Sequence, residues 1–226
     1  MEIPIISPSL RKFGLIKPAD YVLEYDGDPA FGTIRFLKQL HKSPLLSGEN
    51  FWGKRSTGLY QYRMLLELMK LKNNHIFDEQ FDFDVPANYP WSDLDIANKI
   101  RRDFSNGVPK SRWGLTRNQL NHLYNPGAGF VYACLNEGVY LHKTANKEED
   151  RPVNDKVEGS ISVGVCSPGI FFAMSILREQ MAAREMKQYF ANNPESEIVL
   201  LYGADHNFAA HCNRAHFNPV LYGKEF

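Results

Sequence analysis

The segment Glu197–Phe208, EIVLLYGADHNF, constrains the fold more than any other stretch. Five apolar residues, Ile198 to Tyr202, read as a buried strand. Gly203 ends the run, and Asp205, His206 and Asn207 follow at once. Upstream, Ile170 to Asn192 reads as one long helix, with Ile170, Met174, Leu177, Met181 and Met186 at approximate helical spacing. Before that helix, SISVGVCSPG reads as another strand. A strand, a crossover helix and a strand make a βαβ unit, which requires a parallel pair in one sheet. The expected fold class is therefore α/β: a central, mainly parallel sheet flanked by helices, with a loop-rich N-terminal portion.

Residues 1–44 hold Pro4, Pro8, Pro18, Pro29 and Pro44 and read as extended pieces and loops, with one short helix near Thr33 to Lys42. SPLLSGEN reads as a strand closed by Gly48. Ser56 to Lys72 reads as a helix, because Leu59, Tyr62, Leu65, Leu66 and Met69 share a face. Ile76, Phe77, Phe81 and Phe83 suit a strand with an acidic end. Ser92, with Asp95 three residues on, resembles a capping box, and TRNQLNHLY reads as a short helix stopped by NPGAG. GFVYACL reads as a strand of β-branched and aromatic residues. Residues 142–159, polar throughout, read as a surface loop or lid. One domain over 1–226, with 1–44 as an extension, is the simplest partition.

Composition removes several functions. Lys plus Arg and Asp plus Glu are 26 each, so no broad cationic surface for nucleic acid is expected. No long apolar run marks a membrane span or secretory signal at the N-terminus, so a cytoplasmic protein or an effector exported without a cleaved signal is expected. The three cysteines, Cys134, Cys166 and Cys212, are scattered and exclude a disulfide scaffold or a four-thiolate zinc site.

In open α/β sheets, ligands sit at the carboxyl ends of strands. Three candidate strands end near Glu49, Glu79 and His206. If these strands are neighbours, two carboxylates and an imidazole converge on one cleft, where they can polarise a water or hold a divalent metal. Each also has a plainer reading. Glu49 would favour a helix N-terminus, Glu79 would belong to a solvated acidic edge, and His206 would cap a helix. Cys166, at a strand–helix junction, is a second candidate, because a helix N-terminus activates a thiol; buried cysteines are more often inert. The set His206, His211, Cys212 and His216 matches no standard zinc spacing.

LLSGEN, followed by Glu79 30 residues after Glu49, and then LREQMA and EIVLLYGADH, together resemble the erythromycin esterase, ChaN and TraB/TIKI superfamily. The same fold occurs in Ras-cleaving and Pasteurella-type bacterial toxin modules. The resemblance covers about 44–84 and 160–208. It implies a hydrolase, esterase or peptidase, with Glu49 and Glu79 as acidic catalytic or metal-binding groups and His206 as base or transition-state stabiliser. Asp205 and Asn207 would orient His206, and Arg178 would meet an anionic substrate group. The implied substrate is a small ester, a peptide or a protein, and the implied toxin-like role is that of a bacterial effector. A divalent metal serves some relatives, and ChaN-type relatives bind haem, so a non-catalytic ligand-binding member is the alternative. A cysteine hydrolase using Cys166 is the second. This chain has Phe51 where the family has a histidine; His75, His211 or Cys166 would have to replace it.

Overall fold

The computed structural model describes residues 20–25, 32–39, 51–81, 84–144, 168–203, 206, 208 and 217–222. Their strands are β1 (Asp20–Tyr25), β2 (Thr33–Gln39), β3 (His75–Asp78), β4 (Tyr140–His142), β5 (Glu197–Gly203) and β6 (Phe217–Tyr222). Their α-helices are α1 (Phe51–Leu71), α2 (Asp95–Asp103), α3 (Arg117–Tyr124), α4 (Ala128–Leu135) and α5 (Pro168–Asn192). The strands form one sheet in the order β4-β3-β5-β2-β1-β6. β4, β3, β5 and β2 are parallel, while β1 runs antiparallel to β2 and β6 antiparallel to β1. The protein is α/β with a mainly parallel sheet.

Strand alternation sorts the core onto two faces. Ile34, Phe36, Phe77, Ile198, Leu200 and Tyr202 are buried with Ala182, Met186 and Phe190 of α5. Leu37, Ile76, Val199 and Leu201 are buried with α1 to α4 on the opposite face. Helix α5 therefore lies alone on its side among the described residues. β3 divides in the same way: Phe77 faces α5, whereas Ile76 belongs to the α1–α4 side.

Three expectations are corrected. Thr33–Gln39 is a strand, not a short helix. Ile34 and Phe36 alternate with Arg35 and Leu37, and parallel pairing with all of β5 outweighs local propensity. Ala128–Leu135 is helical, not a strand. A short run that is apolar on every side suits a buried helix as well as a strand. Here Gly127, at φ 108°, turns the chain into the helix, and Ala128 N–H donates to Gln61 Oε1 at 2.9 Å. Gly129 lets α4 approach β3 closely: a Cβ there would lie 2.2 Å from Asp78 Oδ2, so any larger residue would have to displace the Asp78 carboxylate. Ser92 does not cap α2. It lies in a 3₁₀ turn, Trp91–Asp93, and Leu94 precedes α2 without a side-chain cap.

The expected helix over 56–72 begins earlier, at Phe51. The strand near residue 76 is short, and Phe81 is buried beyond its end. His142 belongs to β4 rather than to the polar loop, and the rest of that loop, from 145 on, lies outside the described residues. So do the strands expected at 43–50 and 160–167, and Phe83. No helix among the described residues is long and apolar enough to cross a membrane.

Candidate functional site

The carboxyl ends of β3 and β5 meet as adjacent parallel strands. Glu79 follows β3 directly, and its N–H donates to the Leu201 carbonyl at 2.9 Å, which ties it to β5. Its Oε2 accepts from the Gly203 N–H at 2.7 Å. Its Oε1 lies 3.3 Å from Arg178 Nη1 and 3.5 Å from His206 Nε2. His206 Nδ1 lies 3.1 Å from Glu179 Oε1. The imidazole thus sits between two carboxylates, one from the sheet and one from α5. Its ring meets Tyr202 edge-on, with centroids 4.6 Å apart, and the Tyr202 hydroxyl donates to the Arg178 carbonyl at 3.3 Å.

The side chains of Glu79, Glu179 and His206 are 5%, 6% and 9% exposed, whereas that of Arg178 is 33% exposed. Arg178 is therefore the accessible edge of an otherwise buried cluster. Burial pushes the His206 imidazole down in pKa. Hydrogen bonds to Glu179 and Glu79, with their negative charge, more than reverse this and raise it to about 9. At neutral pH His206 is an imidazolium. Two carboxylates then face two cations.

Of the residues singled out in the sequence, the structure brings three together. Glu79, His206 and Arg178 converge as described. Glu49, Asp205, Asn207 and Cys166 lie outside the described residues, as do His211, Cys212 and His216. His75 stands at the opposite end of β3. Cys134 is buried, and burial pushes its thiol up to about 12, far from a nucleophilic thiolate at neutral pH.

Glu179 was missed. Its signal lay in helix periodicity: Glu179, Ala182, Ala183, Met186 and Phe190 share one α5 face, all buried. An acid on an apolar stripe needs a partner. Here that partner is His206.

Among the described residues no three His, Cys, Asp or Glu side chains are arranged to hold a metal ion. Both ring nitrogens of His206 face carboxylates, Nε2 that of Glu79 and Nδ1 that of Glu179. No model of a known protein family, no curated protein and no solved structure matches the chain.

Proposed function

We propose that the protein is a hydrolase of the erythromycin esterase, ChaN and TIKI type, cleaving an ester or peptide bond at the Glu79–His206–Arg178 cluster. The observation that carries this reading is the convergence of Glu79 Oε1 on both cations at a parallel-strand end. Arg178, the exposed member, would meet a carboxylate or other anionic group of the substrate. Between the two roles expected for His206, its raised pKa favours the stabiliser: an imidazolium supports the oxyanion that forms as a carbonyl is attacked. Glu79 would take the proton of the attacking water. Glu179 holds the imidazole in place and charged.

A non-catalytic, ligand-binding protein is the second reading, favoured by the burial of every cluster member except Arg178. Glu79→Gln separates the two. Turnover of a panel of small esters and peptides is expected to fall by about 10²–10⁴-fold, the range for a lost acid–base group. A panel that the unaltered protein does not turn over leaves the binding reading in place. So does a residual rate that Glu79→Gln does not change.

A further inference from the structure

A second polar cleft lies between α2 and α3, on the opposite face of the sheet from α5. Lys99, Arg102 and Asp103 line one wall, and Asn118, Asn121 and His122 line the other, around about 200 Å³. Each set has the spacing i, i+3, i+4, so one face of each helix supplies a wall. The walls are fixed in place. His122 Nε2 is 2.9 Å from Asp103 Oδ2. Gln119, only 5% exposed, donates to the Asp103 carbonyl at 2.8 Å and caps α3 with its other end.

The donor set selects an anion. Lys99 and Arg102 bring cationic N–H groups from α2, and Asn118 and Asn121 bring amides from α3. Asp103 is the one acid of the lining, and it is already held by His122 and, at 3.5 Å from its Oδ1, by Arg102 Nε, which leaves the Arg102 Nη groups for an anion. The competing partner of Lys99 is Asp95, an exposed residue on the same helix, and such pairs exchange readily. The cleft also sits in a charge-segregated segment. From 99 to 136 there are six Lys or Arg and one acid, in a chain of zero net charge.

We propose that this cleft binds a phosphate group carried by a small molecule. Donors on two facing walls suit a tetrahedral oxyanion, whereas a planar carboxylate is met from one edge. The volume is below the range of drug-sized ligands, ~300–1,000 Å³, and fits a head group rather than a whole cofactor.

The test is titration of the full chain with inorganic phosphate at fixed ionic strength, following the Asn118 and Asn121 side-chain amides by NMR. Chloride serves as the control. Saturable shifts are expected with phosphate only. Arg102→Gln, at an exposed position, is expected to weaken binding at least about tenfold, the loss for one charge-assisted hydrogen bond. Asn118→Asp is expected to abolish it by repulsion. Vesicles with phosphomonoester head groups form a second arm. Binding to vesicles alone, lost in Arg102→Gln, keeps the phosphate chemistry and overturns the small-molecule source. Non-saturating shifts with phosphate and no vesicle binding overturn the site. Affinity unchanged in both variants does the same.

Discussion

Two histidine environments lie along the α5 side of the sheet, and they treat the same side chain in opposite ways. Beyond the carboxyl end of β5, His206 sits between Glu79 and Glu179 and is held protonated. At the other end of this side, toward the β4 edge of the sheet, His75 Nδ1 and His142 Nε2 are 3.0 Å apart among aromatic rings. His142 stacks on Phe77 with centroids 4.3 Å apart and planes within 8°, and both histidines meet Tyr189 of α5. Burial, and then the neighbouring His75, push His142 down to about 3, and burial pushes His75 down as well. A buried imidazole takes its charge state from what faces it: carboxylates keep it charged, rings and a second imidazole keep it neutral. One end is therefore built for charge, and the other for packing.

The largest expected effect comes from removing the carboxylate that defines the charged end. Glu79→Leu leaves Arg178 and His206 facing one fewer anion in a buried setting, and breaking such a set costs roughly 3–5 kcal/mol at pH 7. Urea unfolding of both proteins measures it. A loss under 1 kcal/mol would mean that the cluster is solvated and that the contrast between the two ends is not electrostatic.

The next effect is a pH dependence of stability with a definite sign. The folded-state pKa of His206, about 9, lies above the ordinary 6.5. Its stabilisation is complete below pH 6.5 and disappears as pH rises through 9. From pH 7 to pH 9.5 the loss is roughly 2–3 kcal/mol, at 1.36 kcal/mol for each tenfold in proton affinity. His206→Gln should flatten that limb of the stability curve. An identical slope in the variant would remove His206 from the account.

The neutral end has the opposite sign. The folded-state pKa of His142 is depressed to about 3, so its stabilisation is present above 6.5 and is lost as pH falls. At pH 5 the loss from this group is about 2 kcal/mol. His142→Phe preserves the stack on Phe77 and removes the titration. The variant should lose less stability than the unaltered protein between pH 7 and pH 5, measured by the same unfolding curves. Equal acid limbs would show that His142 is already solvated enough to protonate in place.

The two ends were unequally legible in the sequence. At the charged end, an apolar run stopping at Gly203 marked β5, and the rule that ligands sit at strand carboxyl ends brought Glu79 and His206 together only on the condition that their strands are neighbours. Glu179 escaped because the apolar spacing through Leu177 and Met181 runs along the side of α5 nearly opposite Glu179, and of that stripe only Met186 falls on its face. The neutral end was not visible at all. His142 looked like the start of a polar loop because the residues after it are charged, and its three-residue strand is too short for alternation to register. The identities of β2 and α4 were likewise decided by tertiary partners, β5 for one and the α1–α4 layer for the other. Local patterns of seven or eight residues do not carry that information.

The smallest effect tests how the charged end is positioned. Tyr202 belongs to the core yet touches the site twice, by an edge-on contact with His206 and by its hydroxyl on the Arg178 carbonyl. Tyr202→Phe keeps the ring and deletes only the hydroxyl. The Arg178 carbonyl is inside α5, where the helix already supplies it with a backbone donor, so the lost bond is an auxiliary one. The expected stability cost is about 0.5–1 kcal/mol. The pH midpoint of the His206 limb should stay near 9, because neither carboxylate partner moves. A midpoint that falls toward 6.5 would assign Tyr202 a larger part: holding α5 at the register that brings Glu179 to the imidazole. In that case the charge at this end depends on core packing as much as on the two carboxylates, and the contrast with the aromatic end becomes one of degree.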